Sequence, residues 1–284
     1  HNMTDKVDNL RERCDKMRKT GYEIPKIAFM PHQLSDVLNM FKEGELMTQY
    51  EHIFCAMGPI GFPSRVLSAY TSSYLTYVSP EEMLGNTHVI GHIDPITLND
   101  LYSFRTISKN TQLYGVTGWP LEKTSTPTIL NHGFRKAGID AVSLPVRSTL
   151  VSEALNFCEQ TGFKGLSVTT PFKETVMYYL NEQSSEVIQI GACNTLVHRN
   201  NKWTGYNTNV VGFKQAIHEF MGTASLKRKK VAVIGAGGTA KAVVYALKQL
   251  GAKVCIFNRT VEHGQTLADK YGYSFCKLDH NCLE

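Results

Sequence analysis

The stretch Val231-Ala-Val-Ile-Gly235-Ala236-Gly237-Gly238-Thr239-Ala240-Lys241-Ala242 passes from apolar residues through closely spaced glycines into a helical pattern. Glycines let backbone N–H groups and a helix N-terminus approach a phosphate. The spacing therefore reads as a dinucleotide pyrophosphate site built by Gly235, Ala236, Gly237, Gly238, Thr239 and Ala240. A second apolar run, residues 254–257, ends in Asn258, Arg259 and Thr260. An NAD site places an acid at that point for the ribose 2′-hydroxyl, whereas a guanidinium suits a 2′-phosphate. The cofactor expected is NADP.

Such a site needs a sheet behind it, and the chain alternates strand and helix signals. Short apolar runs at 25–30, 53–57 and 74–78 read as strands, separated by helical patterns at 6–20, 34–43 and 65–73. From residue 112 the texture changes. Strand signals recur at 113–117, 141–145, 164–169 and 195–198, with helices at 128–137 and 210–220 and a linker over 221–230. Alternation of this kind implies parallel βα units and an α/β protein.

At 284 residues with 42% hydrophobic content, the chain has room for two or three domains with ordinary cores. No apolar run approaches the roughly 20 residues of a membrane span, and nothing reads as a secretory leader, so no membrane partner is expected. Seven cysteines without a CxxC pair suggest neither a disulfide framework nor a zinc site, so no metal is expected. A reducing, cytoplasmic setting fits. The net charge of +5 is modest, and its one basic block, Lys227-Arg228-Lys229-Lys230, stands just before a buried strand. It reads as a solvated linker favourable to an anionic cofactor, and no nucleic acid partner is expected.

Several ordered motifs resemble those of shikimate dehydrogenases: Tyr114-Gly-Val-Thr-Gly118-Trp-Pro120, Lys123-Thr-Ser-Thr-Pro127, Asn131-His132, Ser167-Val-Thr169-Thr-Pro171-Phe-Lys173, Ile190-Gly191-Ala-Cys-Asn194-Thr195 and Gly205-Tyr-Asn207-Thr208-Asn209-Val-Val-Gly212. Ahead of them, Pro25-Lys26-Ile-Ala-Phe-Met30-Pro31 and Gly61-Phe-Pro-Ser64-Arg65-Val resemble the active-lysine strand and the carboxylate-binding arginine turn of type I dehydroquinate dehydratases. The resemblance implies the C-terminal part of a (β/α)8 barrel over 1–108, a shikimate-binding α/β domain over 109–225 and the beginning of a Rossmann NADP domain over 226–284.

The same resemblance implies roles for individual residues. Thr124 and Thr126 occupy the places of two hydroxyl side chains that grip the substrate carboxylate, with Lys123 where the family has histidine. Threonine keeps the hydroxyl donor and adds a methyl, which leaves shikimate and quinate both open as substrates. Thr169 and Asn194 match hydroxyl-binding positions, and Lys173 matches the catalytic lysine. Asn209 stands where the family has the aspartate that completes a proton-transfer pair with that lysine. An amide can still hydrogen-bond a hydroxyl but cannot take its proton, and loss of such a group typically costs about 10² to 10⁴ in rate. In the first segment Lys26 would form an imine with a ketone, and Arg65 would fork the substrate carboxylate. The lid of that family is replaced here by His88-Val-Ile-Gly91-His92, and its catalytic histidine with an acidic partner would lie upstream of residue 1. The implied function is NADP-dependent interconversion of 3-dehydroshikimate and shikimate, fused to a 3-dehydroquinate dehydratase. Small-molecule substrates are the expected partners. Two rival readings are a quinate-preferring dehydrogenase and a silent shikimate-binding module.

Overall fold

The computed structural model describes residues 4–80, 82, 91–122, 124–222 and 225–279. The chain forms two compact units, His1–Thr169 and Thr170–Glu284. The boundary between them falls inside the segment that the sequence assigns to one substrate domain.

The first unit opens with α1 (Leu10–Met17), β1 (Lys26–Phe29), α2 (Leu34–Leu46), β2 (Ile53–Ala56) and α3 (Gly58–Val66). Strands β1 and β2 pair in parallel, Lys26 against Ile53 through Phe29 against Ala56. Both are almost wholly buried, as parallel strands covered on two faces must be. Two expectations fail here. Residues 74–78 form no ladder among the described residues: His52 makes an isolated parallel bridge with Ser73 and the His52 carbonyl accepts from the Tyr74 N–H at 2.8 Å. Helix α3 begins well before residue 65 and ends at Val66, so Arg65 lies in its last turn rather than at the start of a helix over 65–73. Proline in the first turn sets the helical φ and needs no N–H donor there.

After the short α4 (Pro95–Asp100), the first unit continues with β3 (Gln112–Gly118), α5 (Thr126–Ala137), β4 (Ala141–Arg147), α6 (Val151–Gln160) and β5 (Gly165–Val168). Strand β3 pairs in parallel with both β4 and β5, the arrangement the βα alternation predicts. The outer edge of β4 is closed by a side chain: Asn131 of α5 accepts from the Ser143 N–H at 2.6 Å and donates to its carbonyl at 2.9 Å.

The second unit holds α7 (Phe172–Thr175), β6 (Glu182–Gln183), α8 (Ser185–Ile190), β7 (Thr195–Arg199), β8 (Lys202–Tyr206) and α9 (Asn209–Met221). Strands β7 and β8 are antiparallel, which departs from the expected uniform βα alternation. Asn200 and Asn201 make the hairpin possible, both at positive φ, of 50° and 57°. The remainder is β9 (Lys230–Ile234), α10 (Gly238–Gln249), β10 (Lys253–Asn258), α11 (Val261–Tyr271) and β11 (Ser274–Lys277), with parallel strand order β11-β10-β9. Val233, Val254 and Ile256 from the sheet meet Val244, Leu247 and Leu267 from the helices in one core. Each such side chain contributes about 1.5–3 kcal/mol when fully buried. The expected linker is partly anchored, since Leu226 is buried in that core and its N–H donates to the Leu250 carbonyl at 2.9 Å. The side chains of residues 227–230 stay exposed.

Candidate functional site

Strand β9 ends at Ile234, and the chain turns at Gly235, whose φ of 111° is closed to ordinary L residues. The Gly235 N–H donates to the Phe257 carbonyl at 2.7 Å, which fixes the turn to β10. Gly237 is the N-cap of α10, and a Cβ there would meet no atom within 4 Å. Its face is open to a ligand. Gly235, Ala236, Gly237, Gly238, Thr239 and Ala240 line a cleft of about 660 Å³ together with Lys173, Lys241, His263 and Lys270. The unpaired N–H groups of the helix N-terminus and these side chains make a positive, anion-accepting surface. Burial and the neighbouring Lys241 push the Lys270 ammonium below its ordinary pKa. This donor set fits a dinucleotide pyrophosphate.

At the end of β10 the three predicted residues divide. Arg259 is exposed and makes no side-chain bond among the described residues, so its guanidinium is available. The Asn258 amide is already used, donating to the Thr260 carbonyl at 2.7 Å, and it shapes the turn.

Lys173 lies in α7, and Gly238 has a partner that its sequence position does not suggest. A Cβ at Gly238 would stand 2.9 Å from Lys173 Cβ, so this glycine, which also lines the cleft, makes room for the lysine. Lys173 Nζ donates to Thr239 Oγ1 at 2.8 Å, and burial lowers its pKa from the ordinary lysine value. One residue on, Glu174 pairs with Lys241 at 2.6 Å. Two consecutive side chains thus hold the first turn of α10.

Asn194 and Asn209 are brought together. Asn194 Nδ2 donates to Asn209 Oδ1 and to Thr208 Oγ1, both at 3.0 Å, while its Oδ1 accepts from the Thr208 N–H at 2.8 Å. Asn209 Nδ2 is buried with no hydrogen-bond partner. Lys173 and Asn209 share no hydrogen bond, so the pair implied by resemblance is not joined directly here. Sequence reasoning gave no role to Asn207 and Thr208. Buried Asn207 donates to the Ala192 carbonyl at 2.8 Å and accepts from the Asn209 N–H at 3.2 Å, which seats the start of α9. Asn-Thr-Asn at a helix start was the available signal.

In the first unit Thr124 Oγ1 accepts from the Thr126 N–H at 3.3 Å, which supports the turn into α5, while the N-cap residue Ser125 makes no side-chain capping bond. The Thr126 hydroxyl makes no hydrogen bond among the described residues, and the residue is half-buried. Thr169 extends β5 by donating its N–H to the Thr117 carbonyl at 2.9 Å. Lys26 opens β1, and its ammonium sits 3.8 Å from the centroid of the Tyr77 ring. Buried Arg65 donates to the Tyr77 carbonyl at 3.3 Å, and Ser79 Oγ lies 2.6 Å from His92 Nδ1. Burial, then Arg65 and Lys26, hold the His92 imidazole below its ordinary pKa. Tyr77 and Ser79, which gather these groups, were read from sequence only as part of a strand and its flank. Lys123 and residues 88–90 of the altered lid lie outside the described residues.

A glycine turn at a helix N-terminus, beside a half-buried lysine and an amide cluster, defines an α/β dinucleotide-binding protein. Three family models match the chain in order: type I 3-dehydroquinase over 1–109, shikimate dehydrogenase substrate binding domain over 116–196, and shikimate/quinate 5-dehydrogenase over 216–282. The bifunctional 3-dehydroquinate dehydratase/shikimate dehydrogenase, chloroplastic, of Arabidopsis thaliana is 32% identical over 284 residues, covering 95% of this chain and 46% of that protein. Shikimate biosynthesis protein AroDE of Chlamydia pneumoniae is 30% identical over 271 residues, covering 93% and 55%. Among solved structures, shikimate 5-dehydrogenase of Thermus thermophilus in complex with NADP(H) and shikimate is 28% identical, with a TM-score of 0.53 over 58% of this chain and 62% of that one. Over nearly its whole length the chain is thus similar to proteins that join a 3-dehydroquinate dehydratase to a shikimate dehydrogenase. It spans about half the length of the curated relatives it matches.

Proposed function

We propose that the full-length protein interconverts 3-dehydroshikimate and shikimate with NADP and carries a Schiff-base 3-dehydroquinate dehydratase ahead of that activity. The division into a dehydratase part over 1–108, a shikimate-binding domain over 109–225 and an NADP domain over 226–284 is supported by matches that run in the same order. The observation that carries the dehydrogenase reading is Lys173, held 2.8 Å from Thr239 on the rim of the glycine-lined cleft. A proton-handling group and a nucleotide site are thereby adjacent.

The N-terminus of α10, Gly235 and Gly237 would hold the pyrophosphate, and Arg259 the 2′-phosphate. Bound there, NADP would accept or return the hydride. Thr124, Thr126 and Thr169 would bind the substrate carboxylate and a hydroxyl, and Asn194 would order a further hydroxyl. Lys173, its ammonium disfavoured by burial, takes the proton of the reacting hydroxyl as the ketone forms and returns it in the reverse direction. Asn209 can orient that hydroxyl but cannot share the proton. In the dehydratase part Lys26 would supply the amine for imine formation and Arg65 the carboxylate contact.

Reduction of NADP⁺ and of NAD⁺ by the full-length protein, with shikimate and with quinate, tests this reading. Faster turnover of shikimate with NADP⁺ is expected. Preference for quinate would support the rival dehydrogenase, and tight shikimate binding with no turnover even with aspartate at position 209 would leave a silent binding module.

A further inference from the structure

We propose that Thr239 is a positioning residue for Lys173, so that the first turn of α10 holds the lysine ammonium as well as a phosphate. The proposal rests on reading Lys173 as the proton-transferring group, but its geometry stands independently. Thr239 Oγ1 accepts from Lys173 Nζ at 2.8 Å across 66 residues of sequence. Gly238 beside it leaves the space that the lysine stem occupies, because a Cβ there would sit 2.9 Å from Lys173 Cβ and 3.2 Å from its Cδ. The Glu174–Lys241 ion pair at 2.6 Å fastens the adjacent residue to the same helix. Two contacts therefore converge on Lys173 from the first turn of α10, and a third fastens its neighbour to the same turn.

The chemistry follows from the acceptor. Thr239 Oγ1 bonds the ammonium with charge assistance, so it opposes the burial that favours the neutral amine. The other charged or titratable groups on this cleft are Glu174, Lys241, His263 and Lys270. Lys241 is already neutralised by Glu174, and the Lys270 amine lies 3.4 Å from the Ile190 carbonyl oxygen to which it donates. The Thr239 hydroxyl is thus the uncharged element that both aims Lys173 and sets where it loses its proton.

The test is amine-selective acylation of the full-length protein as a function of pH, with modification at Lys173 read by mass spectrometry. Only the neutral amine reacts, so the midpoint reports the lysine itself and not turnover. Thr239→Val keeps shape but removes the acceptor, and the Lys173 midpoint should move to lower pH, with acylation near neutrality rising about tenfold. Thr239→Ser should retain the wild-type midpoint. Gly238→Ala keeps the hydroxyl and displaces the lysine stem, and should reproduce the valine shift, which covers the case in which the valine variant does not fold. An unchanged midpoint in Thr239→Val or Gly238→Ala, or a serine variant that shifts like valine, overturns the proposal. If the shifts occur and the protein has no shikimate-dependent NADP⁺ reduction, the positioning stands and the functional reading fails; activity with no shift is the reverse result.

Discussion

Asn194 Nδ2 donates to Asn209 Oδ1 at 3.0 Å while Asn209 Nδ2 is buried without an acceptor. A buried donor left unpaired costs about 1–3 kcal/mol, and a carboxylate in the same slot would present an acceptor in its place. Aspartate at position 209 would keep the Asn194 bond and place a carboxylate oxygen where the unpaired amide nitrogen stands, which is the proton-sharing group that the proposed mechanism lacks. Asn209→Asp in the full-length protein is expected to raise the rate of shikimate oxidation by about 10² or more with little change in shikimate affinity. Steady-state kinetics of the two proteins check it.

Cofactor choice rests on Arg259, exposed at the end of β10 and free of side-chain partners among the described residues. Arg259→Ala should leave stability within about 0.5 kcal/mol, because no described residue bonds the guanidinium. It should weaken NADP⁺ far more than NAD⁺ in a calorimetric titration, since only NADP⁺ carries the 2′-phosphate. Equal losses for the two nucleotides would place the arginine outside the site.

The proposed carboxylate clamp can be separated from the local turn before α5 because the two threonines differ. Thr124 bonds the backbone N–H of Thr126, so Thr124→Val should cost stability as a lost local hydrogen bond does, about 1 kcal/mol. Thr126→Val should leave stability nearly unchanged and weaken shikimate by roughly 1–3 kcal/mol, the range for a lost bond to a charged group. Unaltered shikimate binding in Thr126→Val would reduce the loop to a local turn.

Asn131 offers a prediction on stability alone. Its amide satisfies both backbone groups of Ser143 on the outer edge of β4, at 2.6 and 2.9 Å, from a nearly inaccessible position. Asn131→Ala leaves two buried groups unpaired and should cost about 2–4 kcal/mol. Urea unfolding monitored by fluorescence would show it as a lowered midpoint at constant slope.

The parts of the fold that were legible in the sequence are those in which backbone requirements dictate residue type. Gly235 at φ 111° admits little else, and the apolar runs of β9 and β10 leave few alternatives to buried strands. Residues 74–78 show how alternation misleads: their apolar content is right for a strand, but past the Ser73 bridge no neighbour among the described residues supplies a ladder. The β7–β8 hairpin was missed although Asn200-Asn201 is a turn signal of known mechanism. At the site, Lys173 was reached only through resemblance, since one lysine after a proline says little on its own. Its bond to Thr239 spans 66 residues, and the packing of Gly238 against the lysine stem is not legible because the sequence does not reveal what stands opposite a glycine.

The central claim is that Lys173 moves a proton beside an NADP site in a shikimate dehydrogenase. It is tested most directly by kcat/KM for shikimate-dependent NADP⁺ reduction in the full-length Asn209→Asp protein, with and without Lys173→Ala. The lysine variant should lose most of the aspartate's gain, about 10²-fold or more, because two groups that act as a unit do not contribute separately. The lysine-containing protein should also gain rate as pH rises, with a midpoint below the ordinary lysine value of 10.5, since burial favours the neutral amine. A rate that survives loss of Lys173, or no shikimate-dependent reduction in either protein, would contradict the account.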